Sequence, residues 1–236
     1  NVWITIPFDN WSPEATIEVL DDGHGMSRNE AQYRYLVVGR NRRREPPGEK
    51  TSAGRDLHGR KGIGKLAAFG TAGWLECVTT DSKETTAFAI SYEELRKHHP
   101  TDDYETEDVP DPDPLVDPED GHPLEHGTRV RLTKLRAKRR PSESVFRRSM
   151  SRRFAISAND MRVMINGEPL ARYDHDVEIR FPRDGTPPGG GIEIDDDGWA
   201  SQGIPYHGKE VRVRWWIGFT KTPIPEEDMR GVSVLA

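Results

Sequence analysis

Short runs in which apolar and polar residues alternate dominate the first part of the chain. Residues 2–6 read V-W-I-T-I and residues 16–20 read T-I-E-V-L, with D-N-W-S-P in the segment between them. Alternation of this kind predicts half-buried strands, and Asp, Asn, Ser and Pro favour a turn. We therefore predict an antiparallel pair whose second strand ends at Asp21.

The same pattern predicts further strands and four helices along the chain. The predicted strands are 74–80, 86–90, 128–133, 161–166, 177–181 and 210–219. Ser27 and Glu30 form a capping-box pattern before a helix over 29–38, and Ser91 is placed to cap another over 91–98. The other two helices are 65–69 and one that Ser142 is placed to cap, in which Phe146, Met150 and Phe154 recur at every fourth position. Strands and helices in this mixture indicate an α+β fold.

Three polar stretches interrupt these elements. Residues 39–58 are basic and rich in Pro and Gly, which is typical of a lid or another long loop. Residues 101–123 are acidic and contain several prolines, so we expect a solvated insertion that buries no core. Residues 134–153 are strongly basic, and they fit either a solvated amphipathic helix or a surface that follows nucleic-acid phosphates.

Composition narrows the class of protein. The chain has 236 residues, 33% hydrophobic and 31% charged, with a net charge of -6, which argues against a wholly basic nucleic-acid binder. Cys77 is the only cysteine, so an internal disulfide is excluded and a cytoplasmic location is expected. No run approaches the roughly 18 apolar residues of a membrane span.

The candidate chemistry lies in three short motifs. They are D-x-G-x-G at 21–25, G-x-x-G-x-G at 59–64 and G-T at 127–128. A carboxylate such as Asp21 only accepts hydrogen bonds, so it suits the exocyclic amine of adenine and repels the oxygen of guanine. The alternative role for Asp21 is to cap the following turn.

The second motif has the composition of a phosphate cradle. Glycines that lead into a helix bring backbone N–H groups and the helix dipole to an anion, and Lys61 and Lys65 add positive charge. Residues 59–66 also approach the P-loop pattern, but Leu66 stands where a P-loop needs a hydroxyl for magnesium. The P-loop interpretation is therefore rejected.

In their order and spacing, the three motifs resemble those of the GHKL superfamily of Bergerat-fold ATPases, which includes gyrase B, the ninety-kilodalton heat-shock chaperones, histidine kinases, MutL and MORC proteins. The resemblance implies a two-layer α/β sandwich, with a mixed sheet and helices on one face, that binds ATP and Mg²⁺. It implies that the nucleotide is bound by Asp21, Gly23, Gly25, Met26, Gly39, Gly59, Arg60, Lys61, Gly62, Ile63, Gly64, Lys65 and Thr128.

The resemblance also implies an organisation and a mechanism. Residues 1–133 correspond to the ATP-binding domain and 134–236 to part of a strand-rich transducer-like domain. The helix that carries the general base and the magnesium-binding asparagine is expected upstream of Asn1. Lys221 is a candidate for the lysine that reaches the terminal phosphate in related transducer domains. The expected function is an ATP-gated, dimerising switch of the MORC, MutL and chaperone branch.

Two alternatives remain open on the sequence alone. One is a histidine-kinase-type phosphotransfer domain, although the residues after Lys134 are not expected in such a domain. The other is a nucleic-acid-binding module with a non-hydrolysing nucleotide fold, which would use the basic segment 134–153.

Overall fold

The computed structural model describes residues 1–37, 64–98, 104–154, 162–170, 177–182, 189, 192–194 and 198–221, with the backbone alone for 64, 65, 152–154 and 177. The chain divides into two compact units, 1–172 and 173–236. Residues 134–172 thus fold with the first unit. The functional division predicted at residue 133 stays a prediction.

The first unit contains eight strands and a small number of helices among its described residues. The strands are β1 (Val2–Thr5), β2 (Ile17–Asp21), β3 (Ala72–Asp81), β4 (Thr85–Ser91), β5 (Glu107–Asp108), β6 (His126–Leu135), β7 (Val163–Ile165) and β8 (Glu168–Pro169). The helices are α1 (Arg28–Glu30), a π-helical turn (Ala31–Tyr35), a 3₁₀ helix (Gly64–Gly70), α2 (Tyr92–Lys97) and α3 (Glu143–Phe154).

These strands form one sheet in the order β5-β4-β3-β6-β2-β1-β7-β8. The predicted β1–β2 pair is confirmed as antiparallel, with Val2 opposite Asp21. The pairing of β1 with β7 is parallel, which makes the sheet mixed. Together with the helices, this sheet confirms the α+β prediction.

The helices cover one face of this sheet. Leu75 and Cys77 of β3 are buried on that face against Phe69 of the 3₁₀ helix and Ala31. Further along the same face, Phe146 and Met150 of α3 pack against Ile4 and its neighbours. This confirms the predicted apolar face of α3 for Phe146 and Met150, whereas the side chain of Phe154 lies outside the described part of the structure.

Two of the three predicted N-caps are present. At the third, Ser142, the described residues show no bond from its hydroxyl to a helix N–H group, and this hydroxyl lies 3.0 Å from the Ser144 hydroxyl. The Ser27 hydroxyl accepts from the Glu30 N–H, and Glu30 bonds back to the Ser27 backbone, which completes the capping box. Ser91 caps α2 by accepting from the Glu94 N–H. The helix predicted over 29–38 instead changes to π-helical geometry after Glu30.

The acidic segment differs from its prediction. Leu115 is only 4% exposed and packs on the second face of the sheet with Trp3, Leu20 and Val78. The expectation that this insertion buries no core was therefore wrong, because one leucine among many carboxylates is enough to anchor it. The guanidinium of Arg129 fixes the same segment by donating to the carbonyl oxygens at 113 and 114, at 3.1 and 3.2 Å.

The second unit is built from strands among its described residues. They are β9 (Val177–Phe181), β10 (Glu193–Ile194), β11 (Ala200–Tyr206), β12 (Lys209–Trp215) and β13 (Ile217–Thr220). The sheets are β10-β11-β12 and β13-β9, so the single strand predicted over 210–219 is wrong and is divided at Trp216 between two sheets. Every helix in the described part of the chain is too short or too polar to cross a lipid bilayer.

Candidate nucleotide site

The candidate site lies on one row of side chains across three strands of the first unit. Asp21 of β2 is the register partner of Thr128 of β6, and Thr128 is the partner of Thr79 of β3. Register partners place their side chains on the same face of a sheet, about 5 Å apart. The sheet therefore brings a carboxylate and two hydroxyls together from three segments that are far apart in the sequence.

Thr79 was not among the residues predicted from the sequence, but it connects the first and third motifs. Its side chain has no solvent exposure. Its hydroxyl accepts from the Met26 N–H at 2.9 Å, donates to the Gly127 carbonyl at 3.0 Å and lies 3.0 Å from the Thr128 hydroxyl. A threonine inside a strand carries no local signal of such a role, and only the β3–β6 register reveals it.

The carboxyl group of Asp21 is held by the turn that follows it. Its Oδ1 accepts from the Gly23 N–H at 2.8 Å, while its Oδ2 has no hydrogen-bond donor among the described residues. Burial raises the pKa of Asp21 above its ordinary value; the Gly23 hydrogen bond and His24 oppose this shift, and Asp22 adds to it. The turn-capping role weighed for Asp21 is therefore present in the structure, and its role toward a ligand stays a prediction.

Two of the motif glycines lie where no side chain fits. Gly25 has φ +66°, and a Cβ there would lie 1.7 Å from the Thr80 carbonyl oxygen. Gly127 has φ +153°, and a Cβ there would lie 2.3 Å from the Asp21 carbonyl oxygen. These close approaches let the first and third motifs pack directly on β3 and β2.

Met26 lies at the edge of the apolar cluster beneath this row. It is half-buried and packs against the cluster that contains Cys77 and Phe88. Burial raises the pKa of the Cys77 thiol to about 12, and the neighbouring charge of Asp21 adds to the shift. Burial also raises the pKa of Tyr35 in the same cluster. The environment on this side of Asp21 is therefore apolar.

The structure assembles only part of the predicted residue set. Asp21, Gly23, Gly25, Met26 and Thr128 lie around one end of the sheet. Gly64 and Lys65 begin the 3₁₀ helix. The other residues predicted to bind the nucleotide lie outside the described residues: Gly39, Gly59, Arg60, Lys61, Gly62 and Ile63.

Lys221 follows β13 in the second unit and is exposed. Its role toward a phosphate stays a prediction.

Two clefts and the potential metal ligands among the described residues add no further residue to the candidate site. Neither of these two clefts, of about 460 and 470 Å³, is lined by Asp21, Thr79 or Thr128: Tyr92, Arg96 and Arg136 help to line the first, and Thr80, Lys83 and Glu84 the second. The described residues contain no group of three His, Cys, Asp or Glu side chains able to hold a metal ion. The site is therefore identified by the polar row and the glycine contacts.

Comparison with known proteins gives a family match over the part of the chain that contains Asp21 and Thr79. Residues 1–119 match the profile of a family described as histidine kinase-, DNA gyrase B- and HSP90-like ATPase. The chain is also 30% identical over 162 residues to a protein of Herpetosiphon aurantiacus named "Putative type II restriction enzyme HgiDII". That alignment covers 68% of this chain and 25% of the relative, so the chain spans about a quarter of its length.

Proposed function

The chain belongs to the family of histidine kinase-, DNA gyrase B- and HSP90-like ATPases, and we propose that it binds and hydrolyses ATP as an ATP-gated dimerising switch. The observation that carries the nucleotide assignment is the row of Asp21, Thr128 and Thr79, with the Asp21 Oδ2 left for a ligand.

The chemistry of adenine fits this row. Its exocyclic amine donates to the Asp21 carboxylate, whereas guanine places an acceptor at the same position. A buried acceptor left without a donor costs about 1 to 3 kcal/mol, which is enough to select the base. Met26 and the apolar cluster offer a surface for the plane of the ring. Family resemblance assigns the phosphates to the backbone of Gly59 to Gly64 and to Lys61 and Lys65.

Hydrolysis and dimerisation extend this proposal. Hydrolysis requires a general base, and the resemblance to GHKL ATPases implies one together with a Mg²⁺-binding asparagine. Mg²⁺ would neutralise phosphate charge when bound. The described residues contain no group of three His, Cys, Asp or Glu side chains that could hold it. In a switch of this type, ATP binding favours the dimer and hydrolysis releases it.

The direct test compares the wild-type protein with Asp21→Asn. We expect the asparagine variant to lose at least tenfold in ATP affinity, because its amide presents a donor to the adenine amine. Calorimetric titration with ATP and GTP measures this, and Asp81→Asn, at the end of β3, is the matched control. Unchanged ATP affinity in Asp21→Asn contradicts the assignment.

Dimerisation has a separate readout. Sedimentation with and without a non-hydrolysable ATP analogue is expected to show the dimer only with the analogue. An unchanged sedimentation coefficient would reject the switch while leaving ATP binding intact.

DNA binding is the second candidate function, because the name of the Herpetosiphon relative denotes a restriction enzyme. The basic segment 134–153 is a poor candidate surface, since several of its cations already make contacts within the fold. Arg136 donates to the Phe69 carbonyl, Arg140 to the Phe8 carbonyl and Arg147 to the Ile165 carbonyl. Steep salt dependence of DNA retention in the presence of ATP would support this candidate, and retention that does not differ from that of an unrelated acidic protein would reject it.

A further inference from the structure

The three contacts of the Thr79 hydroxyl use all of its hydrogen-bonding capacity. A threonine hydroxyl has one hydrogen to donate and two lone pairs that accept. The Gly127 carbonyl can only accept, so it takes the Thr79 hydrogen at 3.0 Å. The Met26 N–H can only donate, so it occupies one lone pair of Thr79 at 2.9 Å. One lone pair of Thr79 therefore remains for the third contact, which is the Thr128 hydroxyl at 3.0 Å.

This count decides where the hydrogen of Thr128 points. Thr79 has no second hydrogen to give, so Thr128 is the donor of the pair. We infer that Thr79 is a positioning residue that turns the Thr128 hydrogen away from the nucleotide, leaving Asp21 and Thr128 as a wall that only accepts hydrogen bonds. The inference rests on the proposed binding of a nucleotide beside Asp21.

A wall made only of acceptors selects the ligand more strictly than Asp21 alone. Asp21 and Thr128 are register partners, and neither side chain is fully buried, so both remain available to one ligand edge. The amine of adenine brings hydrogens to this wall. Hypoxanthine brings an oxygen at the same ring position, and neither acceptor can pair with it. The arrangement therefore fits a purine with an exocyclic amine and excludes a 6-oxopurine.

The test is the ratio of affinities for ATP and inosine triphosphate. In Thr79→Val, the Thr128 hydrogen is free to turn toward the ligand and donate to the oxygen of hypoxanthine. We expect the preference for ATP to fall roughly two- to tenfold, the range that one hydrogen bond supplies. Thr79→Ser keeps the hydroxyl and should keep the wild-type ratio.

Two further variants separate this role from a merely structural one. Thr86→Val alters the next threonine on the same row, since Thr86 is the register partner of Thr79 on β4, and it should leave the ratio unchanged. Thr79→Val combined with Thr128→Val removes the released hydrogen, so the double variant should have the same ratio as Thr128→Val alone. A wild-type ratio in Thr79→Val, or an equal loss in Thr79→Ser, overturns the inference.

A second measurement needs neither a variant nor a nucleotide. In the wild-type chain with labelled threonine, the Thr128 hydroxyl hydrogen should show a nuclear Overhauser effect to the side chain of Thr79 and slow exchange with solvent. A Thr79 hydroxyl hydrogen directed at Thr128 instead overturns the inference. If ATP does not bind but the Thr128 hydrogen points to Thr79, only the proposed function fails.

Discussion

Asp21 lies directly opposite Thr128 in the antiparallel register of β2 and β6. This pairing joins the end of the first motif to the start of the third, although the two are separated by more than a hundred residues. Gly127 makes the approach possible, since a Cβ there would overlap the Asp21 carbonyl oxygen. The Asp–Thr pair is thus the point at which separate pieces of the chain become one candidate site.

The first prediction concerns stability and pH in Asp21→Asn. Burial raises the Asp21 pKa, so the folded state favours the protonated carboxyl group. Its contribution to stability is fully present below the ordinary pKa of 3.8 and is lost as the pH rises through the raised value. We therefore expect Asp21→Asn to be more stable than wild type at about pH 7.5, and this advantage should disappear at about pH 3.

Denaturant unfolding at the two pH values measures this difference. Asp81→Asn is the control of opposite sign, because hydrogen bonds from the Glu84 and Lys83 N–H groups lower the Asp81 pKa. Its ionised form is the one favoured by folding. If Asp21→Asn were less stable than wild type at neutral pH, the raised pKa would be contradicted.

The second prediction concerns the close approach at Gly25. Gly25→Ala forces a Cβ against the Thr80 carbonyl at a positive φ. We expect a loss of about 2 to 4 kcal/mol in the free energy of unfolding, combining backbone strain with overpacking. Gly70→Ala is the matched control, because a Cβ at Gly70 meets nothing within 4 Å. Equal stabilities of the two variants in chemical denaturation would refute the proposed fit.

The third prediction concerns the acidic segment. Leu115→Ala removes a side chain that is 4% exposed, and we expect a loss of about 2 to 5 kcal/mol in unfolding free energy. Val116→Ala alters the adjacent residue, which is 36% exposed, and should change stability much less. Thermal unfolding of the two variants measures the difference. A small effect in both would mean that the segment does not belong to the core.

The fourth prediction concerns the single thiol. Cys77 has no solvent exposure and a pKa of about 12, so little thiolate is available at neutral pH. The native protein should resist alkylation by iodoacetamide and should take up one equivalent when unfolded in urea. Ser82→Cys, which places a second thiol at an exposed turn position, should react once in the native state. Rapid alkylation of native wild-type Cys77 would contradict the buried position.

Much of the local structure was predictable because it is encoded by neighbouring residues. The β1–β2 pair follows from alternation with a turn between the strands, and the caps at Ser27 and Ser91 follow from side chains that reach backbone groups three residues away. The strand predicted over 210–219 failed because periodicity cannot show that a chain leaves one sheet for another at Trp216.

The sequence by itself determined the family-like motifs, the carboxylate that suits an amine and the glycines that need room. Each depends on the chemistry of a residue or on spacing within a short stretch. Only the tertiary structure decided that Thr79 holds Met26, Gly127 and Thr128 together and that Leu115 belongs to the core. Both depend on strand register and on contacts between distant segments, which no local pattern specifies.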